Sequence, residues 1–160
     1  MRLSEIELLR HFSLTEKDYA GKPVNWNEYH GKTILELDRL RHDIRSPCTL
    51  IRGSHGPGKE TAVDCVFPHA PFQAVVMSCM RSTFSRGFYE GGSLHFDTRM
   101  RADGLLRCWL AFKPERALEI ANMGLIGLKI SSSDGWDYYQ CSHAHSWELL
   151  SFLIQINSTA

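Results

Sequence analysis

Two short segments of this 160-residue chain collect side chains that bind metal ions and move protons. The first is the glycine-rich stretch Gly53-Ser-His-Gly-Pro-Gly58, where His55 is followed nine residues later by Asp64. The second is Ser93-Leu-His-Phe-Asp-Thr-Arg99, which contains His95. Two His and one carboxylate, with a fourth position left to water, are the ligands of a catalytic zinc site.

The second segment has the alternation of a half-buried β-strand. Alternate residues of a strand share a face, so His95, Asp97 and Arg99 lie together. Leu94 and Phe96 lie on the opposite face, which we expect to be the core side. Taken alone, the polar row is equally typical of a solvated sheet face with an incidental ion pair. His55 in the glycine-rich loop and Asp64 on the next strand could bind the same ion as His95, and this combination favours a shared metal site.

The elements that must position these residues follow from hydrophobic spacing and from Gly and Pro. Helices and strands are mixed without regular alternation, which predicts an α+β fold with a small, mostly antiparallel sheet and flanking helices. A polar loop is predicted between residues 130 and 145. The predicted helices cover residues 1–12, 32–44, 72–80, 115–123 and 145–156, and the predicted strands cover 49–52, 61–67, 87–90, 93–99, 105–112 and 126–130.

Length and charge exclude several classes of protein. A chain of 160 residues is expected to be a single domain, 1–160. Lys and Arg total 18 and Asp and Glu total 18, so the chain lacks the basic charge of a nucleic-acid binder. No apolar run approaches the roughly 18 residues of a membrane span. The five cysteines form no C-x-x-C pair and lie mostly in apolar stretches, which predicts buried free thiols.

The N-terminus carries charged residues where a secretory signal would be apolar. Glu5, Glu7 and Arg10 interrupt the segment, so as written we expect a cytoplasmic start. A mature secreted form with its signal removed would look the same. The sequence sets neither a bacterial nor a phage source, nor an oligomeric state.

In chain order, the two segments resemble the zinc D-Ala-D-Ala carboxypeptidase and endopeptidase family, which shares its fold with the hedgehog signalling domain. Its first signature, S-x-H-x-x-G-x-A-x-D, is matched in pieces by His55-Gly-Pro-Gly58 and Ala62-Val-Asp64. Its second, an apolar residue and then His-x-Asp-x-Arg, is matched by Leu94-His-Phe-Asp-Thr-Arg99. The resemblance covers roughly residues 32–99 and implies a hedgehog/DD-peptidase-like fold. We place the motif-bearing core at about 32–112 and an uncharacterised C-terminal extension at 113–160.

The resemblance implies a zinc metallopeptidase that hydrolyses peptidoglycan stem peptides. It also implies release to the cell wall, by lysis or phage delivery, as the route from the cytoplasm to this substrate. His55, Asp64 and His95 would bind Zn²⁺, which lowers the pKa of its bound water and polarises the scissile carbonyl. Arg52, near the end of the preceding strand, would steady the oxyanion or hold a substrate carboxylate. An exposed strand Arg without such a role is an equal alternative.

The general base is the least determined part of this prediction. The family often places a Glu or Asp three residues before the last His, where this chain has Gly92. We predict Glu90 as the base, because its long side chain can reach around the Gly-Gly turn. Asp97 is the other candidate base, but we expect it to support the site by orienting His95 or by pairing with Arg99.

Two alternatives stay open. The chain has Gly92 where the family often has an acidic residue, and two extra residues between His55 and Asp64. Both departures are compatible with a catalytically inactive metal-binding or structural module of the same fold. A small interaction domain without metal would instead leave His55, Asp64 and His95 apart. Outside this site, Cys141-Ser-His-Ala-His145 is read as surface or capping residues. The aromatic residues are scattered along the chain, and we expect them in the core or the wall of a cleft rather than in a platform for glycans: Trp26, Tyr29, Trp109, Trp136, Tyr138 and Tyr139.

Overall fold

The chain folds into one mixed β-sheet with helices packed against it. The computed structural model describes residue 6 and residues 9–53, 61–82, 84–99, 103–104, 106–125, 128–141 and 146–158. In these residues the strands are β1 (Thr49–Arg52), β2 (Ala62–Val66), β3 (Ser85–Tyr89), β4 (Ser93–Asp97), β5 (Cys108–Phe112), β6 (Lys129–Ser133) and β7 (Trp136–Gln140). The α-helices are α1 (Gly31–Ile44), α2 (Phe72–Met80), α3 (Ala117–Asn122) and α4 (Ser146–Ser158), and 3₁₀ turns cover Trp26–Glu28 and Pro114–Arg116.

The sheet has the strand order β1-β2-β4-β3-β5-β7-β6. Neighbours among the described strands are antiparallel, except for β3 and β5, which are parallel. The expected α+β class and mostly antiparallel sheet are therefore confirmed. Strand β3 pairs with β4 on one side and with β5 on the other. Strands β7 and β6 of the C-terminal extension follow β5, so they continue the sheet that carries the predicted motifs.

One face of the sheet carries the core. Leu94 and Phe96 of β4 are fully buried, as the alternation predicts. The ring of Phe72 in α2 meets Phe88 of β3, and Phe112 of β5 stacks on Phe152 of α4. The opposite face, which we call the site face, carries the side chains of alternate residues such as Asp64 and His95. Burial of one set of residues thus fixes the other set on the site face.

Helix α1 is tied to the strand ends beside the predicted motifs. Its apolar positions follow helical spacing, and Ile34 and Leu37 are fully buried. The buried Thr33 hydroxyl donates to the carbonyl oxygen of Thr61 and lies 2.8 Å from the hydroxyl of Thr98. Thr61 directly precedes β2, and Thr98 directly follows β4. One side chain therefore holds the helix and both strands in register.

The predicted elements agree with the structure except near the C-terminus. The helices predicted at 32–44, 72–80 and 145–156 are confirmed with small shifts, and residues 85–97 form the predicted hairpin. The polar loop predicted at 130–145 instead contains β7, which pairs with both β5 and β6. A two-residue turn, Asp134-Gly135, joins β6 to β7 with both residues at positive φ. The predicted N-terminal helix falls mostly outside the described residues.

Two further predictions concern the cysteines and the membrane. None of the five cysteines is in a disulfide bond, and Cys48, Cys65 and Cys79 are buried as predicted, whereas Cys108 and Cys141 are half-buried. Burial raises the pKa of Cys79 to about 12, with opposing effects from the Arg86 and Arg39 charges. None of the helices in the described parts of the chain is long and apolar enough to cross a bilayer.

Candidate functional site

Two of the three predicted metal ligands meet at the centre of the site face. Strands β2 and β4 are antiparallel neighbours, and their register places Asp64 directly opposite His95. The Nδ1 atom of His95 lies 2.8 Å from Oδ1 of Asp64. Their side chains are 18% and 15% exposed, so solvent reaches both groups. An imidazole nitrogen and a carboxylate oxygen are thus held side by side on a rigid part of the sheet.

The core residues on either side explain why the pair faces outward. Val63 and Cys65 of β2 are fully buried, and so are Leu94 and Phe96 of β4. A shift of either strand by one residue would bring a charged or imidazole side chain into this apolar layer. The local sequence therefore fixes the meeting of Asp64 and His95.

The remaining predicted ligand and the predicted oxyanion residue are only partly described. His55 lies in residues 54–60, outside the described part of the chain. Arg52 is the register partner of Asp64 on β1, across a bulge, and its side chain is likewise outside the described structure. In the described residues there is no group of three or more His, Cys, Asp or Glu arranged to hold a metal ion.

Asp97 lies next to the pair along β4. It is two residues beyond His95 on the same face, a distance of roughly 6.6–6.8 Å along the strand. Its Oδ1 accepts hydrogen bonds of 2.8 Å from the Thr61 hydroxyl and from the backbone N–H of Arg99. The Arg99 guanidinium is 3.4 Å from its other oxygen. The predicted pairing of Asp97 with Arg99 is therefore present.

Glu90 lies at the opposite end of the hairpin. The register partner of His95 on β3 is Gly87, and Glu90 is three residues further on, roughly 10 Å along the strand. Its carboxylate accepts hydrogen bonds from the backbone N–H of Lys113, at 2.9 Å, and from Nε of Arg116, at 2.8 Å. Both bonds tie Glu90 to the connection after β5, at the opposite end of the hairpin from Asp97.

Sequence reasoning missed an aromatic row on the same face. The ring of Trp109 on β5 lies 5.4 Å from the His95 ring, measured between centroids. Trp109 also contacts Tyr89 at 5.2 Å and Tyr138 at 5.4 Å, and Tyr89 contacts Trp136 at 4.9 Å. The i, i+2 spacing of Trp136 and Tyr138 was the available signal, because it places both on one face of a strand. We call His95 and these four aromatic side chains the ring row.

Gly87 makes the ring row possible. A Cβ atom at this position would lie 2.2 Å from two atoms of the Trp109 indole. The indole therefore rests on the backbone of β3, in the space that any other residue would fill. This close approach brings Trp109 against His95, which is the register partner of Gly87 on the other side.

A buried tyrosine lies near the carboxylate side of the pair. Burial raises the pKa of Tyr29, and the negative charges of Glu28, Asp18 and Asp64 add to the effect. A Cβ atom on Gly53 would lie 2.8 Å from the Tyr29 ring, so the ring packs on the chain just beyond β1. The phenol therefore stays protonated and neutral at the end of β1.

Comparison with protein-family models, curated proteins and solved structures returns no match to this chain.

Proposed function

We propose that this chain is a zinc-dependent peptidase that hydrolyses peptidoglycan stem peptides, with a hedgehog/DD-peptidase-like fold. The observation that carries the proposal is the contact between Asp64 and His95 on paired strands. These residues come from the two separate segments that resemble the zinc D-Ala-D-Ala carboxypeptidase and endopeptidase family. Their meeting on one face is what a common metal ion requires.

The donor set suits zinc. Zinc takes His nitrogen and carboxylate oxygen at about 2.0–2.2 Å, so two ligands of a tetrahedral ion lie about 3.4 Å apart. The atoms of His95 and Asp64 are 2.8 Å apart and hydrogen-bonded, and binding an ion would replace this hydrogen bond and move them apart by roughly 0.6 Å. His55, on the connection between β1 and β2, is proposed as the third ligand. When bound, the ion supplies an acidified water and polarises the peptide carbonyl.

The chain's own residues would do the rest. Trp109 packs against the His95 ring and limits the orientations that the imidazole can take. Arg52, by its register with Asp64, is proposed to hold the developing oxyanion. Of the two candidate bases, the geometry favours Asp97, which shares the site face with His95. Glu90 is roughly 10 Å along the neighbouring strand and is bonded to Arg116.

The test measures metal content and cleavage on the same samples. Protein prepared in metal-free buffer and reloaded with zinc is expected to bind one ion and to cleave a stem pentapeptide that ends in D-Ala-D-Ala. His95→Ala and His55→Ala should lose both properties. His69→Ala is the matched control, because His69 lies in the turn before α2, the helix that packs on the core face through Phe72. Absence of stoichiometric zinc in the wild type, or retention of zinc in His95→Ala, would refute the proposal.

Two conservative substitutions separate the candidate bases. Asp97→Asn should abolish cleavage with zinc retained if Asp97 takes the proton, and Glu90→Gln should then leave cleavage close to the wild-type rate. The reverse result would assign the base to Glu90, as the sequence predicts.

A second candidate function is a metal-binding module that does not cleave peptides. The observation in its favour is that the Glu90 carboxylate is hydrogen-bonded to Lys113 and Arg116. The position three residues before His95, where the family often has an acidic residue, is Gly92. Stoichiometric zinc together with no stem-peptide cleavage over long incubation would favour this module. Turnover lost to a chelator and restored by zinc would favour the enzyme.

A further inference from the structure

An open pocket of about 440 Å³ lies at the C-terminal end of α1, outside the site face. It is bordered by the last turn of the helix, by the chain that leads from α1 to β1, and by the N-terminal segment. Its volume is in the range of small-molecule sites. None of the described residues that line it is acidic or belongs to a strand: His11, Arg41, His42, Arg45, Ser46 and Pro47.

Two buried polar groups that line this pocket lack a partner. Arg41 is 5% exposed, and its terminal nitrogens donate to the carbonyl oxygens of His11 and Cys48 and to the Glu16 carboxylate. Its Nε atom is buried with no acceptor among the described residues, and the same holds for the Ser46 hydroxyl. Buried polar groups are normally hydrogen-bonded. A ligand with acceptor oxygens would supply the partner that both groups lack.

The side chains around the pocket leave an excess of positive charge. The Glu16 carboxylate, 3.0 Å from Arg41, balances that guanidinium, and Asp38 accepts hydrogen bonds from two backbone N–H groups. Arg45 is exposed and forms no ion pair with any described residue. The C-terminus of a helix carries about half a negative charge. The full charge of Arg45 exceeds it, so the pocket favours an anion.

Two imidazole rings add a further donor. The Nε2 atom of His11 lies 3.3 Å from Nδ1 of His42, so one N–H group is shared between the rings. The ring that accepts this bond keeps the N–H of its other nitrogen for a ligand. A metal ion would have to break the bond between the rings, and the guanidinium groups of Arg41 and Arg45 would repel it. An oxyanion meets neither obstacle.

We propose that this pocket binds the phosphate group of a small phosphomonoester. The Nε–H of Arg41, the Ser46 hydroxyl, the Arg45 guanidinium and one imidazole N–H are donors for its oxygens, and Arg is the side chain best suited to phosphate. The pocket is several times larger than a phosphate ion, so room remains for the group that carries the phosphate. The site is independent of the proposed zinc ion.

The test is a calorimetric titration of the full chain in metal-free buffer, so that phosphate cannot bind zinc instead. The probes are phenyl phosphate, inorganic phosphate and benzoate. Phenyl phosphate should bind most tightly, because it fills more of the pocket than phosphate and has more acceptor oxygens than benzoate. Arg45→Asn should weaken its binding about tenfold, as expected for loss of a charge-assisted hydrogen bond. Asn tolerates the positive φ of 56° at this position.

Arg81→Asn is the matched control. Arg81 is also exposed and is the residue that follows the last turn of α2, as Arg45 follows α1, so its loss should leave binding unchanged. Circular dichroism establishes that each variant is folded, and Ser46→Ala, which removes one neutral donor, replaces Arg45→Asn if the latter unfolds. The proposal is overturned if phenyl phosphate does not bind, or if it binds the wild type and the variants of Arg45 and Ser46 equally. Tighter binding of inorganic phosphate or benzoate than of phenyl phosphate would also overturn the assignment to a phosphomonoester.

Discussion

Replacement of Gly87 by Ala tests the most crowded point of the site face. The added Cβ would lie 2.2 Å from the Trp109 indole, whereas ordinary contacts begin at 3.4 Å. The indole would have to move by roughly 1.2 Å, and it is already in contact with His95, Tyr89 and Tyr138. We expect the free energy of unfolding to fall by about 1–3 kcal/mol, as for other overpacked sites.

The assay is urea denaturation in zinc-free buffer, so that metal binding does not add to the stability. Gly31→Ala is the matched control. Among the described residues, no atom outside its chain neighbours and the backbone of its own helix lies within 4 Å of a Cβ at that position. Gly31 begins α1, so Ala should be neutral or stabilising by up to about 1 kcal/mol.

A double-mutant cycle identifies the cause. If Trp109 is what the new Cβ strikes, Gly87→Ala should cost little in a Trp109→Ala background, giving a coupling of about 0.5–3 kcal/mol. An equal cost of Gly87→Ala with and without the indole would refute this reasoning. The loss would then come from the backbone of β3 itself.

Three further predictions concern the elements around the site. Thr33→Val should lower the free energy of unfolding by about 1–3 kcal/mol, because the carbonyl of Thr61 loses its buried donor, and Thr33→Ser should restore most of it. The Ser132 hydrogen bond and the Lys129 charge lower the pKa of Asp137, so its stabilisation is complete above about pH 4 and is lost as pH falls through the lowered pKa. Asp137→Asn should therefore flatten the fall of the urea midpoint in acid, and an unchanged fall would contradict the assignment. With a pKa of about 12, the Cys79 thiol should not react with Ellman's reagent near neutral pH until urea unfolds the chain.

The part of the site that could be predicted is the part encoded by strand parity. Val63, Cys65, Leu94 and Phe96 form an apolar set at every second position, and burying them leaves Asp64 and His95 outward whatever the rest of the fold does. The direct pairing of Asp64 with His95 could not be predicted in the same way, because it depends on the register between β2 and β4. That register spans 31 residues of chain.

The strand β7 was missed for an identifiable physical reason. Its buried Asp137 reads as a loop residue in the sequence, but Ser132 and Lys129 of β6 satisfy its carboxylate at 2.7 and 3.2 Å. The turn before it was the better signal. Asp134 and Gly135 both take positive φ, the conformation of a tight hairpin turn for which Asp-Gly is a preferred pair.

The position of Glu90 could not be predicted from sequence distance. Glu90 is only five residues before His95 in the sequence, which suggests that the two are close. The chain turns at Gly91-Gly92, however, and β3 runs antiparallel to β4, so the residue beside His95 is Gly87 and Glu90 stays at the turn end of the hairpin. Arg116, which binds Glu90, lies 26 residues further along the chain. Long-range partners of this kind have no local signal.

Trp109 connects the two halves of the site face. Its indole rests on Gly87 and contacts the imidazole of His95 on one side and the ring of Tyr138 on another. The indole therefore limits the orientations that the imidazole can take, as groups around a metal ligand commonly do. Truncation of Trp109 to Ala should weaken zinc binding, measured as the metal content of protein reloaded with zinc, and an unchanged zinc content would show that His95 does not need the indole.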